Sequence, residues 1–239
     1  MFYIKIAELV VRIHNVYPFV QAFCKDYITD PVDDPDLVVE TTEEEIQRVL
    51  EIEGTNLPAD RAEGLCIYKK ICLQLPKKFN GFFMHCAVIE YHGKGYAFAA
   101  PSGTGKSTHI RLWRKKFGDA VHVINGDKPI MRFDADGHLI AYGTPWCGKE
   151  GYQTNASVPL KAICFIERSE SNRIHSLSAK DAVSKIFHQI LLPTDRETVD
   201  ALFPMLDKTI REIPCYVLEC NISEEAAEIA YCGMNASEI

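Results

Sequence analysis

The sequence predicts an α/β fold in which a mixed β-sheet is flanked by helices. Short apolar runs rich in β-branched and aromatic residues alternate with segments whose apolar residues recur at helical spacing. In addition, the strand-like run Tyr96–Ala100 passes through a glycine-bearing loop into the helical stretch Ser107–Phe117. This strand–loop–helix order is typical of the core of α/β proteins.

Length and composition limit the possible classes of protein. The chain has 239 residues, of which 47% are apolar and 10% aromatic, so it can bury a core and is not globally disordered. The net charge is -7, with no run of lysine or arginine that would indicate nucleic-acid binding. No apolar stretch is long enough to cross a bilayer, and Lys5 and Glu8 interrupt the N-terminal apolar run. We expect a cytoplasmic protein that binds neither nucleic acid nor membrane.

The cysteine pattern indicates reduced thiols. The nine cysteines are an odd number and none are spaced as C-x-x-C, so we interpret most of them as buried apolar side chains. Cys147 differs because it lies in the polar loop Gly143–Lys149. It is a candidate reactive thiol, although nothing in the sequence indicates a lowered pKa.

The first eighty residues predict an α+β region that packs beside the core and carries no chemical motif. Thr42 to Glu45 form a capping box that opens a helix to about Ile52, and a second helix runs from about Ala62 to Leu75, stopped by Pro76. The remaining predictions for this region are three strands and one loop: Phe2–Val11, Val16–Phe23, Leu37–Val39 and the loop Gly54–Asp60.

The loop after Ala100 reads Pro-Ser-Gly-Thr-Gly-Lys-Ser-Thr, which is the pattern of a P-loop, or Walker A motif. In such loops backbone N–H groups cradle phosphates, the lysine reaches the outer phosphates, and the hydroxyl after it ligates Mg2+. The first consensus glycine is Ala100 here, at the end of the strand, where a methyl group is tolerable. An ordinary strand-to-helix turn is the alternative. We predict binding of ATP or another NTP with Mg2+, through these residues: Ser102, Gly103, Thr104, Gly105, Lys106, Ser107 and Thr108.

Two further residues are predicted to converge on this loop. If Phe82–Tyr91 and Tyr96–Ala100 pair as a hairpin, with Glu90 or Tyr91 opposite Gly95, then His85 lies opposite about Ala100. Asp127 ends the strand that begins at Ala120, and on an adjacent strand it would ligate Mg2+ beside Ser107. Each residue has a structural alternative: His85 could be a histidine of the core, and Asp127 could be an ordinary turn aspartate.

The rest of the chain predicts further elements of the same sheet. Gly143–Gly151 is either a flexible loop over the nucleotide or acceptor, or a plain connection. The expected elements are a hairpin of Pro129–Phe133 and His138–Tyr142, a strand Leu160–Glu167, helices from Ser178 to about Leu191 and over Thr194–Glu212, a strand Pro214–Glu219 and a helix from Ser223.

These motifs, in this order, resemble the HPr serine kinase/phosphorylase-like P-loop kinases, which share a core with phosphoenolpyruvate carboxykinase. The resemblance covers roughly residues 80–220 and is nearest to the short stand-alone members, some of which phosphorylate serine in a peptide. It is carried by His85, the 102–108 loop, Asn-Gly-Asp-Lys-Pro at 125–129 and Gly-Thr-Pro-Trp-Cys-Gly-Lys at 143–149. It implies that Lys106 stabilises the transferred phosphoryl group, that Asp127 serves metal and catalysis, and that His85 assists proton transfer.

Two departures from that family leave alternatives open. The first aspartate of the family's pair is Gly126 here, and no counterpart of the Glu-Ile-Arg-Gly-like signature is present. The predicted function is therefore a Mg2+- and ATP-dependent kinase acting on a hydroxyl of a peptide, protein or small molecule. The alternatives are a nucleotide-binding regulatory protein with little catalysis, and a hydrolase or carboxykinase-like transferase. Oligomeric state stays open.

The resemblance also divides the chain. Residues 1–80 form the N-terminal packing region and residues 81–239 the P-loop kinase-like domain, together as one compact unit. Three further cations are candidate substrate or phosphate contacts, or else solvated surface charges: Lys128, Lys149 and Arg168.

Overall fold

Two β-sheets organise the chain in the computed structural model, which describes residues 1–53 and 57–236. The N-terminal sheet has the order β1 (Phe2–Ile6), β2 (Leu9–His14) and β3 (Leu37–Glu40), with β1 and β2 antiparallel and β2 and β3 parallel. The prediction of one strand over Phe2–Val11 is wrong, because the chain reverses at Ala7 and Glu8, both at positive φ. Two-residue hairpin turns need this geometry but usually take it with Gly or Asn, so the composition did not reveal it.

Three helices accompany the N-terminal sheet. The first, α1 (Phe19–Phe23), replaces the strand predicted over Val16–Phe23. The second, α2 (Glu43–Glu53), opens on the predicted capping box, in which Thr42 and Glu45 exchange hydrogen bonds. The third, α3 (Ala59–Lys78), continues through Pro76, which therefore does not stop it. Of the loop predicted at Gly54–Asp60, residues 54–56 lie outside the described part and residues 59–60 belong to α3.

The second sheet has nine strands and contains the strand that leads into the 102–108 loop. Its main path runs β4-β8-β9-β10-β6-β5-β7, and β12 pairs with both β10 and β11. The strands are β4 (Gly81–Phe83), β5 (Cys86–Tyr91), β6 (Lys94–Ala99), β7 (Val121–Asn125), β8 (Ile130–Phe133), β9 (Leu139–Tyr142), β10 (Ser157–Arg168), β11 (Arg173–Ser176) and β12 (Cys215–Cys220). This mixed sheet confirms the predicted fold class.

The topology corrects one detail of the predicted site. Strand β5 lies antiparallel to both β6 and β7, so β7 is the next strand but one from β6 and not its neighbour. Both β6 and β7 still run in the same direction, and their carboxyl ends therefore reach the same edge of the sheet. Long β10 holds the sheet together, because its start pairs with β9 and its remainder lies parallel to β6 and β12.

Helices cover both faces of this sheet, as the prediction requires. On one face, α4 (Lys106–Phe117) and α7 (Glu224–Asn235) bury a cluster centred on Trp113 and Phe98. On the other face, α5 (Ala179–Phe187) and α6 (Arg196–Glu212) cover a second apolar cluster. Helix α5 ends before the predicted Leu191. The short strand β11 escaped prediction because it is mostly exposed and polar.

The N-terminal sheet and α3 bury a third apolar cluster together with Trp146 of the loop after β9. Trp146 packs on Tyr68 with ring centroids 4.9 Å apart, and its Nε1 donates to the Gly64 carbonyl. No helix within residues 1–53 and 57–236 is long and apolar enough to cross a membrane. The nine cysteines are all free and all but Cys232 are buried, which supports the reading of them as apolar side chains.

Candidate active site

The loop between β6 and α4 has two glycines in a backbone conformation that other residues rarely adopt. Gly103 and Gly105 both have positive φ, 77° and 137°, which a residue with a side chain rarely adopts. Because Gly105 precedes α4 without a side chain to cap it, the first amides of the helix are left for another acceptor. Arg168, at the end of β10, donates to the carbonyls of Gly103 and Thr104 at 2.5 and 3.0 Å. Arg168 therefore stabilises the conformation of the loop through two of its carbonyl groups.

His85 lies where the register predicted. Cys86 pairs with Ala99, which sets the preceding residue opposite Ala100 at the mouth of the loop. His85 lies between the end of β4 and the start of β5, where the regular strand pairing is interrupted. Its amide donates to the Gln189 carbonyl at 2.5 Å. The backbone of His85 is therefore fixed by the chain that follows α5, while its imidazole is free to reach the loop.

Three side chains meet beside the loop. The Lys106 Nζ donates to the Ala100 carbonyl at 2.9 Å and lies 3.1 Å from the His85 Nε2. The same Nε2 lies 3.0 Å from the Asp127 Oδ1. The side chains of His85 and Asp127 are 26% and 19% exposed, so a bound molecule can reach them.

The His85 Nε2 cannot serve both neighbours at once. As an unprotonated nitrogen it accepts a hydrogen bond from the Lys106 ammonium, and as N–H it donates to the Asp127 carboxylate. The hydrogen-bond partner of the His85 Nε2 therefore depends on whether that nitrogen carries a proton: Lys106 when it does not, and Asp127 when it does.

At this site burial and the charged neighbours shift the pKa values of Asp127 and Lys106 in opposite directions. Burial raises the pKa of Asp127, but hydrogen bonds with His85 and Lys128 outweigh it and hold that pKa below its ordinary value. Burial lowers the pKa of Lys106, and the Asp127 carboxylate counteracts part of this effect. Asp127 is accordingly an anion at neutral pH.

A buried asparagine, Asn125, which the motif at 125–129 includes without a predicted role of its own, shapes the turn that carries Asp127. The Asn125 Oδ1 accepts from the amides of Asp127 and Lys128 at 2.9 and 2.7 Å. Its Nδ2 donates to the Thr144 carbonyl, and the Thr144 hydroxyl donates to the Lys128 carbonyl. Such an Asx turn was detectable from Asn-Gly-Asp, but its link to the loop after β9 was not.

Gly126 stands where the resembling family has an aspartate, and here a side chain does not fit. A Cβ at this position would lie 2.9 Å from the Cys147 carbonyl oxygen and 3.1 Å from the Tyr152 Cβ. The Gly126 amide also donates to the Tyr152 carbonyl at 2.8 Å. The glycine therefore permits a close approach of the 143–152 segment to the end of β7.

The same segment changes the interpretation of Cys147. The residue is 6% exposed, and burial raises the pKa of its thiol. A buried, protonated thiol is a poor nucleophile, so these two observations favour the structural alternative for Cys147. Thr144 and Trp146 are also buried, which makes the first half of this loop part of the core and leaves Gly148 to Gly151 as its exposed part.

The loop, Asp127 and the exposed part of the 143–152 segment border a cleft of about 630 Å³. Among the candidate cations, Lys128 is bound to the Asp127 carboxylate at 2.7 Å, and exposed Lys149 has no ionic partner among the described residues. Ser107 and Asp127 both line this cleft, and hydroxyl and carboxylate oxygens are ligands that suit Mg2+. The N-terminal region also lines it, through Phe19, Phe23, Leu57, Arg61 and Leu65.

The fold and this cleft define an α/β protein in which a glycine-bearing loop between a strand and a helix opens onto a lysine, a histidine and an aspartate. Residues 65–228 match the family described as SynChlorMet cassette protein ScmC, and the chain belongs to that family. The match includes the loop, His85 and Asp127 but begins after Phe19, Phe23 and Arg61.

Among solved structures, the HPr(Ser) kinase/phosphatase from Coxiella burnetii is similar over 66% of this chain and 99% of that chain, with 8% identity and a TM-score of 0.39. At this level the likeness carries no inference about function. The sequence matches no curated protein.

Proposed function

We propose that this protein is a Mg2+- and ATP-dependent kinase that transfers the γ-phosphoryl group to a hydroxyl, with serine as the favoured acceptor. The observation that carries the proposal is the meeting of Lys106, His85 and Asp127 within hydrogen-bond distance at the end of the 102–108 loop. Phosphoryl transfer needs mainly positioning and charge stabilisation, and a lysine, a carboxylate and a base beside an anion-binding loop supply both.

The residues of the loop would hold the triphosphate through the amides from Gly103 to Thr108, with Lys106 on the outer phosphates. Ser107 and Asp127 would hold Mg2+. When bound, the metal neutralises charge that develops on the transferred group. These roles fit the uncapped helix start and the two oxygen ligands that line one cleft.

His85 is the proposed base. When Lys106 turns from His85 to the phosphates, the His85 Nε2 loses its hydrogen-bond donor and regains a free lone pair. It then takes the proton that the acceptor hydroxyl releases as its oxygen bonds to phosphorus and the bond from phosphorus to ADP breaks. Asp127, 3.0 Å from the same nitrogen, stabilises the imidazolium that results.

A nucleotide-binding regulatory protein with little catalysis is the second candidate. It is favoured because Gly126 supplies no carboxylate beside Asp127, and Asp127 is already bound by Lys128. In that case Lys106 stays on the phosphates and His85 has no substrate proton to accept.

Transfer of labelled γ-phosphate distinguishes the candidates. Purified protein is incubated with Mg-ATP and a panel of serine peptides and small alcohols, and Lys106→Ala serves as the inactive variant. Labelled acceptor with wild type alone supports the kinase. Binding of Mg-ATP without turnover favours the regulatory protein, and release of phosphate without an acceptor would show a hydrolase.

A further inference from the structure

The N-terminal region, predicted to serve as packing alone, supplies part of the lining of the cleft. We call its residues the N-terminal wall: Phe19, Phe23, Leu57, Arg61 and Leu65. The Phe19 and Phe23 rings are stacked with centroids 5.6 Å apart, and the Arg61 guanidinium lies 4.2 Å above the Phe19 ring. Both phenylalanines are partly exposed, so the wall presents an aromatic surface with a cation beside it.

The wall is held in place by a buried carboxylate on α3. Glu63 has no exposed surface, and it accepts from the amides of Val16 and Tyr17 at 2.5 and 2.9 Å and from the Thr41 hydroxyl at 2.6 Å. These bonds tie the start of α1 to the helix that carries Arg61. Phe23 also packs edge-on against Trp146, which lines the same cleft, with ring centroids 6.1 Å apart. The aromatic surface is therefore preorganised.

The wall lines the same cleft as Lys106 and Asp127, and this shared cleft indicates what the wall binds. Lys106 marks the outer-phosphate end of a P-loop, and His85 and Asp127 lie at that end. An acceptor hydroxyl must approach to about 3–3.5 Å of the phosphorus there, so the rest of the acceptor lies in the remaining part of the cleft. The residues that line the cleft besides the loop and Asp127 include Lys128, Lys149 and the N-terminal wall.

The charges of the wall indicate the chemistry of its ligand. Arg61, Arg111 and Lys149 have no carboxylate partner among the described residues, although Arg111 donates to the Thr108 hydroxyl. Lys128, in contrast, is bound to the Asp127 carboxylate. The acidic residues in the described lining of the cleft are Asp127 and the exposed Glu150. Unpaired cations next to stacked phenylalanines suit a ligand with an anionic group beside an apolar one.

We propose that the N-terminal wall binds the phosphoryl acceptor, and that the acceptor carries its hydroxyl between an apolar group and an anionic group. This inference rests on the proposed kinase function. It names a substrate class for the cleft and gives the N-terminal region a role in binding.

Charge reversal at Arg61 tests the inference. The probes are N-acetylated tripeptide amides, Leu-Ser-Glu and its charge-reversed form Leu-Ser-Lys, used with Arg61→Glu and the matched control Arg48→Glu, an exposed arginine of α2 outside the cleft. Arg61→Glu should raise KM for the glutamate probe about tenfold and lower it for the lysine probe, because a charged hydrogen bond is exchanged for a repulsion. Phe19→Ala should raise KM for both probes. Mg-ATP affinity should not change in either variant.

Different results overturn the inference. If Arg61→Glu weakens Mg-ATP but not tripolyphosphate, the wall binds the nucleoside. If Arg61→Glu leaves KM for both probes unchanged, or if Arg48→Glu changes KM by the same amount, then Arg61 does not contact the charged group of the acceptor. Calorimetric binding of the probes, with Mg-ADP present, separates this from the proposed function. If no phosphate is transferred, the kinase proposal fails, but a calorimetric preference of wild type for the glutamate probe over the lysine probe still supports the N-terminal wall as a binding surface. If neither probe binds, the inference about the wall is contradicted.

Discussion

Placing an aspartate at position 126 tests whether this glycine is a lost catalytic acid or a packing requirement. On sequence grounds Gly126→Asp restores the carboxylate of the resembling family, and a large gain in turnover would show that the native chain is impaired. The structure predicts the opposite, because even a Cβ would lie 2.9 Å from the Cys147 carbonyl oxygen and 3.1 Å from the Tyr152 Cβ. Both contacts are with the 143–152 segment, and the Gly126 amide donates a hydrogen bond to the Tyr152 carbonyl of that segment. Moving the segment away to make room for a side chain would therefore also break this hydrogen bond.

The expected cost follows from this overpacking. Forcing extra atoms into a packed site costs about 1–3 kcal/mol, which for a domain of this size lowers the melting temperature by roughly 2–12 °C. Gly126→Ala is the matched control, because it adds the Cβ without the charge. We expect both variants to unfold at lower temperature in calorimetry, and Gly126→Asp to transfer phosphate no faster than wild type. An aspartate variant with wild-type stability and a large gain in turnover would refute the reasoning.

Three other predictions concern the site and the N-terminal region. His85→Ala should lower the transfer rate by about 10²–10⁴-fold if His85 is the base, and an effect below about threefold in steady-state kinetics would return it to a structural role. Asp127→Asn should weaken the dependence on Mg2+, and an unchanged metal titration would contradict its role as a ligand. Hydrogen bonds with Lys70 and with the Thr42 amide hold the pKa of Glu45 below its ordinary value, against burial. Glu45→Gln should therefore lose about 0.5–1 kcal/mol of stability at neutral pH, and that loss should fade as the pH drops below ~4, where the wild-type carboxylate is protonated too. Urea unfolding at both pH values checks this, and a difference independent of pH would contradict it.

The core of the site could be predicted because local sequence determines it. The glycine and lysine pattern specifies the loop, and a short turn sets the register that brings His85 opposite Ala100. Asp127 reached the same edge even though β7 is not adjacent to β6, since strands in the same direction end on the same side.

The remaining features depend on contacts between distant segments. Phe19 and Arg61 carry no motif, and only the packing of α1 against α3 brings them to the cleft. The close approach of Cys147 to Gly126 likewise requires knowledge of how the loop after β9 folds back. Pro76 stays within α3 although proline usually ends a helix, because tertiary packing overrides that local preference.

Equilibrium binding of Mg-ATP to wild type and Lys106→Ala tests the central claim most directly. The control is Lys69→Ala, which removes an exposed lysine of α3 that does not line the cleft. Titration calorimetry should show Mg-ATP binding to wild type and Lys69→Ala, with at least about tenfold weaker binding to Lys106→Ala, because the buried ammonium makes a charged contact with the outer phosphates. Equal affinity in all three proteins, or no binding to wild type, would contradict the account.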